Sequence, residues 1–586
     1  MPENNHCFIC GGDGAFHVPE GWSLRESLCS RCGAARRNRD LAKTILELFV
    51  GLEATSLADS LDRLKDLSIF EAQAEGPIHL FLKELPGYVC SEYLEDAPLG
   101  AIDGRGIRSE DLERLSFADR SFDLAITQDV LEHVRRPYKA FSEIRRVLKP
   151  GGYHVFTVPL HEGRQTTRRT VPLGGRDIDI LPTVFHGDPL RREGSLVYTD
   201  FGDDIIALTE SLGFATSIAG VERFYPACSL PWIADDEAHR IYEEFKKRGD
   251  LLKILKYNSI VFASRREEAP RKPGLPWTGE RFLPWLDESM IHYEHLHRYA
   301  FARTFAAGKD VLDVACGEGY GSAMLAETAS SVLGLDIDGE AVIHASASYI
   351  QDNLAFIEGA MTAAPIREER LFDVIVCFEA LEHIDDHEAF MKEAARLLKP
   401  EGVLIVSTPN KKVYSDGPSY SNPYHLRELY LEEFKELLSR YFSQAHFFGQ
   451  AIETASRIWP LVPSDLPERR ESLLRVDGAF RLAGEREQRD KYYIAVASNA
   501  PEFSAECLAP SILLDLSERI IGRMDRTINS LSEELAEKNR LLKAQAEECG
   551  GLKERIAQIE GLMKSIESRR PRSFREFLKE MIGWQP

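Results

Sequence analysis

Short strings in this chain occur twice at one fixed separation of 250 residues. Phe122-Asp123 returns as Phe372-Asp373, Leu131-Glu132-His133 as Leu381-Glu382-His383, and Leu148-Lys149-Pro150 as Leu398-Lys399-Pro400. Val158-Pro159 pairs in the same way with Thr408-Pro409. One offset shared by scattered strings means one domain type present twice, by duplication or fusion. Around them the pattern alternates. Residues 41–48 have helical periodicity, Leu67–Phe70 reads as a strand, and residues 77–85 read as a helix opened by Pro77. Tyr88–Cys90, Phe122–Ile126 and Tyr153–Val158 read as further strands. Strands alternating with helices predict an α/β class with a doubly wound sheet in each half.

The second half carries the most specific stretch, Lys309–Gly321. Val311, Leu312 and Val314 form a short apolar strand with the acidic Asp313 near its end; Cys316-Gly317-Glu318-Gly319-Tyr320-Gly321 follows, and a helical pattern starts after it. Strand, glycine turn and helix start bring backbone close to a ligand. A second apolar strand, Val332–Leu335, ends at Asp336, where a carboxylate can accept from both hydroxyls of a ribose. The corresponding loop of the first half is Glu71-Ala72-Gln73-Ala74-Glu75-Gly76, with one glycine instead of three, and Glu92 falls where Asp336 falls.

Asp313-x-x-Cys316-Gly317-x-Gly319, Asp336, the strand Phe372–Cys377 and Leu397-Leu398-Lys399-Pro400-x-Gly402 resemble the class I S-adenosylmethionine (SAM) methyltransferases over about residues 278–450. The resemblance implies two tandem Rossmann-like methyltransferase domains, the first with a degenerate glycine loop. It implies that Asp313 and the amides of Cys316, Gly317 and Gly319 hold the methionine portion of SAM. Asp336 would bind the ribose, Ile337 would pack on the adenine, and Ala360 and Met361 would sit near the adenine edge. Phe378 and Glu379 would face the reacting centre. Arg298, on a lead-in helix with Tyr293 and His295, would pair with the methionine carboxylate or with a surface acid. In the first copy, Ala72, Gln73, Ala74 and Glu75 would crowd the methionine moiety, leaving either a scaffold or a second enzyme. Its Phe185–Pro189 and Tyr198–Asp200 clusters would line a substrate cleft or serve as solvated turns.

Methyl transfer from a sulfonium needs alignment and, for a hydroxyl acceptor, a proton acceptor. His383 is the first candidate base and His425, in Ser421–Leu426, the second, with Glu379 beside them; either histidine can equally be a capping or structural group. The strand-four end, Cys377-Phe378-Glu379-Ala380, lacks the Asn/Asp-Pro-Pro-aromatic motif of the family members that methylate exocyclic amines of bases.

At the N-terminus stand Cys7-x2-Cys10 and Cys29-x2-Cys32. Two such knuckles can place four thiolates around a tetrahedral Zn²⁺, a closed and therefore structural shell, with a redox pair or iron–sulfur cluster as rivals. His6 is a bystander beside them. Arg36, Arg37 and Arg39 either touch RNA or open a solvated helix. Beyond Pro510, heptad positions Ile521, Ile528, Leu535, Leu542, Cys549, Ile556 and Met563 alternate with Met524, Leu531, Lys538, Gln545, Leu552, Ile559 and Ile566. Only Lys538 and Gln545 are strongly polar, which predicts a homo-oligomeric coiled coil weakened at Gly550-Gly551. The tail from Arg569 to Trp584 is basic, aromatic and amphipathic, suited to a membrane surface or a docking partner such as a glycosyltransferase.

The expected organisation is a zinc-binding ribbon-like module (1–40), a methyltransferase-like domain (41–265), a linker (266–277), a SAM-dependent methyltransferase domain (278–500), a coiled coil (510–568) and a basic tail (569–586). A net charge of −22 opposes general attraction to nucleic acid. No run of eighteen apolar residues and no apolar leader segment occur, and the cysteine usage suits a reducing cytoplasm, with the inner face of a membrane as a possible station. The opening Thr278-Gly279-Glu280-Arg281-Phe282 and Glu294–Tyr299 resemble the lead-in of a subgroup found with bacterial surface-polysaccharide enzymes. That resemblance implies O-methylation of a sugar or glycan. A small soluble metabolite, an RNA read through the zinc module, and a coiled-coil scaffold with vestigial folds are the alternatives.

Overall fold

The computed structural model describes residues 6–13, 16–17, 27–94, 96–161, 165–187, 194–219, 260–268, 275–276, 281–285, 289–453, 472–476, 479–483, 490–501, 507–514, 519–568, 579 and 581–583. Most of the 266–277 linker and of the 569–586 tail lies outside them. The chain forms two compact units, one of residues 1–286 and 290–512, the other of residues 287–289 and 513–586.

The larger unit holds two seven-stranded sheets of one topology. In the second half the order is Leu354–Glu358, Ser331–Asp336, Asp310–Val314, Phe372–Cys377, Leu398–Pro409, Tyr492–Ser498, Gln444–Gln450. The first half repeats it with Arg108–Ser109, Tyr88–Glu92, Ile69–Glu71, Phe122–Gln128, Leu148–Thr157, Phe262–Arg266, Phe214–Ile218. Five strands of each sheet run parallel and two pair antiparallel at one edge. The central strands are buried on both faces, which is why they read as continuous apolar runs rather than alternations. In each sheet the strand order reverses beside the first strand, at Asp310–Val314 and Ile69–Glu71, the place where a doubly wound sheet opens a crevice.

The N-terminal module belongs to the first domain's core. Cys7, Ile9, Cys10 and Cys29 share one buried cluster with Leu41 and Ile45 of helix Arg36–Phe49 and with Leu124 and Val155 of the sheet. A hairpin of the first domain, Thr170–Leu173 with Arg176–Asp179, is buried in the second domain's core. Val171, Leu173, Ile178 and Ile180 pack with Leu312, Leu335 and Ile357. At the same interface, Gln165 sits where a Cβ on Gly339 would fall. The two domains are thus one packed body, a feature the repeat alone does not announce.

The second unit is dominated by one helix, Arg519–Ser568, of 50 residues. It runs through Gly550 and Gly551 without a break, and its heptad residues Ile528, Leu535, Leu542 and Ile556 are 54–62% exposed in the single chain.

Candidate active site

In the second domain each loop glycine has a different reason. Gly317 lies at φ 55° with nothing within 4 Å of the position of a Cβ, so its side-chain direction is open. Gly319, at φ 95°, opens helix Tyr320–Ala326, and a Cβ there would stand 2.7 Å from the Cβ of Ala345. A Cβ on Gly321 would meet the Tyr299 ring at 2.0 Å. One glycine therefore faces open space, and two leave room for protein.

Asp336 ties the loop to the second strand. Its Oδ2 accepts from the Gly317 N–H at 2.7 Å and its Oδ1 from the Asp338 N–H at 2.9 Å. Burial raises its pKa, against the pull of those two amides. Ile337, the next residue, is 74% exposed, a large apolar side chain held beside the loop. The turn of Ala360 and Met361 is attached to the same place, since the Gly359 N–H donates to the Asp336 carbonyl at 2.8 Å.

Two expectations for the loop change. Asp313 is fully buried. It accepts from Tyr299 at 3.2 Å and from Ser322 at 2.6 Å, and enclosure lifts its pKa to about 7. Its side chain braces the loop instead of reaching the cleft. The amides of Cys316, Gly317 and Gly319 are also engaged, with Leu335, Asp336 and Cys316 respectively, so they hold the turn's own shape. The Cys316 thiol is buried behind them.

Arg298 is 1% exposed, so its partner is no surface acid. Its Nε donates to Gln450 at 2.7 Å, its guanidinium lies 4.3 Å from the centroid of the Tyr492 ring, and Nη1 stands 3.4 Å from Glu379 Oε1. Glu379 holds a left-handed backbone at φ 49° immediately after the fourth strand, and Ser407 donates to its carboxylate at 2.8 Å. Burial raises the Glu379 pKa and Arg298 opposes the rise. Phe378 packs edge-on to Tyr299, with ring centroids 5.1 Å apart.

The two histidine candidates come together. Their rings stand 5.1 Å apart, edge to face. His383, in the turn Leu381–His383, directs Nδ1 to the Tyr424 carbonyl at 3.0 Å, a bond in which the ring must donate; in the neutral tautomer this leaves the lone pair on Nε2. His425 lies 2.6 Å through Nδ1 from Glu428 and 3.0 Å through Nε2 from the Asn422 amide. Tyr414 stacks on the His425 ring, and Tyr420, Tyr424 and Tyr430 are 41–50% exposed on the same segment.

The first domain repeats much of this with other residues. The Ala74 N–H donates to Glu92 at 2.8 Å, as Gly317 does to Asp336. Gly76, the single glycine, takes φ 101° at the helix start. Glu71 is buried like Asp313, receives bonds from Tyr88 and Gln128, and is lifted to about 8 by burial. Ala72 packs in the core instead of projecting toward a ligand. At the fourth strand's end, Asp129 has φ 50°, accepts from Thr157 at 2.9 Å and pairs with Arg37 at 3.4 Å.

The N-terminal thiols form two matching knuckles. Gly11 and Gly33, at φ 67° and 71°, donate back to the carbonyls of Cys7 and Cys29 at 2.9 and 2.8 Å. Cys7 Sγ lies 3.6 Å from Cys32 and Cys10 Sγ 3.9 Å from Cys29. A tetrahedral ion with ordinary 2.3 Å bonds separates its sulfurs by about 3.8 Å, so the four thiols fit zinc. His6 is occupied on both nitrogens, by Asp13 and the Thr55 carbonyl. Arg36 pairs with Asp40, Arg37 with Asp129, and Arg39 is buried over Phe16, so the arginines serve the protein itself.

Sequence reading missed Tyr299, Ser322, Ser407, Gln450 and Glu428. Tyr299 and Ser322 flank the loop in sequence, and the missing side chain at Gly321 is the local sign of the tyrosine. Ser407, Gln450 and Glu428 reach the site only through sheet order and carry no local sign.

Two doubly wound sheets of 3-2-1-4-5-7-6 order with a glycine loop at the switch point define a Rossmann-like nucleotide-binding architecture. Residues 89–156 and 312–406 both match the family model for a methyltransferase domain. Each of the two sheets thus contains a stretch that matches a methyltransferase domain. The match in the first half begins after the altered Glu71–Gly76 loop, whereas that in the second begins before Asp313. The chain is 40% identical over 167 residues to a "Probable S-adenosylmethionine-dependent methyltransferase" of Mycolicibacterium smegmatis, covering 28% of this chain and 63% of that one. It is 35% identical over 134 residues to the ubiquinone biosynthesis O-methyltransferase of Psychrobacter arcticus, covering 22% of this chain and 52% of that one. The chain thus spans between half and two thirds of these relatives' length. A solved structure, magnesium protoporphyrin IX methyltransferase from Synechocystis PCC 6803, is 15% identical, with a TM-score of 0.23 and coverage of 36% of this chain and 82% of that one.

Proposed function

We propose that the second domain transfers a methyl group from SAM to a hydroxyl oxygen. The observation that carries this reading is the Gly317–Asp336 clamp, with open space beside Gly317 and the exposed Ile337 next to it. Asp336 would take the ribose, Ile337 with Ala360 and Met361 the adenine, and Arg298 the carboxylate of the methionine portion. SAM supplies an already activated methyl group, so the chain's own residues need only align the acceptor and accept its proton. His383 is the base in this reading, because the Tyr424 carbonyl holds its Nδ1 and leaves Nε2 to face the acceptor; Glu379 and His425 orient the acceptor side. The first domain serves as a scaffold with an acceptor-side constellation but an altered donor loop.

A sugar or glycan is the acceptor we favour. The lead-in resemblance supports it, as does the row of exposed tyrosines at 420, 424 and 430, whose rings suit the faces of saccharides. A small-molecule metabolite is the second reading, supported by the relatives named for ubiquinone biosynthesis. The charge of −22 and the engaged arginines of the thiol module count against RNA. Zinc on Cys7, Cys10, Cys29 and Cys32 would stabilise the first domain's core, and the heptad helix would join copies of the chain. No helix among the described residues is long and apolar enough to cross a membrane.

Labelled SAM incubated with the whole chain and a panel of saccharides, phenols, amines and RNA tests the reading. Label on a saccharide oxygen is expected. Label confined to RNA or to an amine nitrogen would contradict it.

A further inference from the structure

The Leu-Glu-His string that repeats at positions 131–133 and 381–383 has become two different devices. In both copies the glutamate is nearly inaccessible, Glu132 at 2% and Glu382 at 1%. In both, its carbonyl accepts from a later loop, from Tyr198 at 2.8 Å in the first copy and from Leu426 at 2.8 Å in the second. In both, the following histidine directs Nδ1 to a backbone carbonyl, that of Leu196 at 2.8 Å or of Tyr424 at 3.0 Å. Each copy then brings in a second imidazole, His186 or His425, giving a Glu-His-His set whose ligand atoms lie within 4.8 Å of one another.

The difference lies in the second imidazole. His425 has a carboxylate on Nδ1 and an amide on Nε2, the arrangement of a fixed, hydrogen-bonded ring. His186 has no such clamp among the described residues. Its Nδ1 faces Glu132 Oε1 at 3.8 Å, and His133 Nε2 faces the same oxygen at 3.7 Å. The two rings are edge to face at 5.2 Å.

We propose that the first domain binds a divalent first-row transition ion through Glu132, His133 and His186. Two imidazoles and one carboxylate are a ligand set for such ions, leaving positions open for water or an oxygen ligand. The bond from His133 Nδ1 to a backbone carbonyl is the second-shell contact that fixes a ligating histidine's tautomer and points Nε2 at the metal. With metal–ligand bonds of about 2.1 Å, tetrahedral donors lie about 3.4 Å apart. Each imidazole thus needs to close on Glu132 by only a few tenths of an ångström. The surrounding backbone presents the set. His186 sits in the hairpin Phe185–His186 with Ser195–Leu196, whose opposite strand supplies the Leu196 carbonyl that orients His133. Gly194, at φ 81°, permits the close return, since a Cβ there would lie 2.3 Å from the His186 carbonyl. His186 is 38% exposed through its side chain, so the open positions reach solvent. The site stands apart from the four thiols and does not depend on the reading of the second domain.

The test is zinc stoichiometry on the metal-free whole chain, titrated against a chromophoric chelator, in the parent and in His186→Ala, His133→Ala and Cys29→Ser. The His186→Ala change is on an exposed hairpin, and a circular dichroism melt checks that each variant folds. The expected result is one equivalent fewer in His186→Ala and in His133→Ala than in the parent. A separate tighter equivalent is lost in Cys29→Ser and retained in both histidine variants. A parent that binds zinc only through the thiols, or a His186→Ala chain that binds as much as the parent, would overturn the proposal.

Discussion

The Gly317 N–H donates to the Asp336 carboxylate at 2.7 Å, and this bond joins the loop after the second domain's first strand to the end of its second. In the proposed function this bond would set where a nucleoside's hydroxyls and adenine lie, because Ile337 follows directly in the chain. Its counterpart, Ala74 to Glu92 at 2.8 Å, shows that the clamp survives without the glycine. What the first copy lacks is the open face that Gly317 provides.

Replacing Gly317 and Gly319 by alanine should therefore have different consequences. Gly319→Ala meets Ala345 and a left-handed backbone, and should cost about 2–4 kcal/mol of stability with a clear fall in melting temperature. Gly317→Ala pays only the left-handed backbone, about 1–2 kcal/mol, but places a methyl group in the ligand space. Differential scanning fluorimetry with and without SAM separates them: Gly317→Ala should lose the ligand-induced shift while keeping more of the intrinsic stability.

Asp313 predicts a pH dependence. Its folded pKa, about 7, lies above that of the unfolded chain, near 3.9. The folded state therefore holds a proton that the unfolded state has released, and stability falls as pH rises from about 4 to about 7. Glu71, lifted to about 8, acts in the same direction over a slightly higher range. Asp313→Asn removes one of these contributions. Melting temperatures between pH 5 and pH 8 should fall less steeply for the variant than for the parent, and parallel curves would argue that Asp313 is ionised in the fold.

His383→Ala should lower kcat by about 10²–10⁴ with little change in SAM affinity, as expected for loss of a general base. His425→Ala should lower kcat less, because its nitrogens are already occupied by Glu428 and Asn422. Steady-state kinetics alongside SAM titration check both; the reverse ranking would make His425 the base.

With the zinc proposed on the four thiols, chelation should destabilise more than the first 40 residues. Ile9, Leu41, Ile45 and Val155 share one cluster with three of the cysteines. Hydrogen exchange after chelation should show faster exchange in Leu148–Thr157 as well as in the knuckles. Exchange confined to the knuckles would contradict that coupling.

Much of this was legible in the sequence for physical reasons that can be named. Central strands such as Val311–Val314 and Phe372–Cys377 are buried on both faces and announce themselves as apolar runs. The switch-point loop announces itself through glycines at 317 and 319, which need positive φ. The repeat exposed the second copy of the fold, because Glu132 and Glu382 occupy the same buried turn. The antiparallel strands Phe214–Ile218 and Phe262–Arg266 at one end of the sheet were not legible, since they are short and far apart in the chain. Nor was the docking of Val171 and Ile178 on the second domain, which depends on a surface that only folding creates. Asp313 was assigned to the ligand from its motif position, but burial between Tyr299 and Ser322 turns it inward.

The most direct test of the central claim, that the second domain is the chain's single methyl-donor site, is calorimetric titration of SAM into the whole chain and into Asp336→Ala. The account predicts one site per chain in the parent and none in the variant. Two sites in the parent, or one that survives loss of Asp336, would show that the Glu71–Gly76 loop also binds SAM and would contradict it.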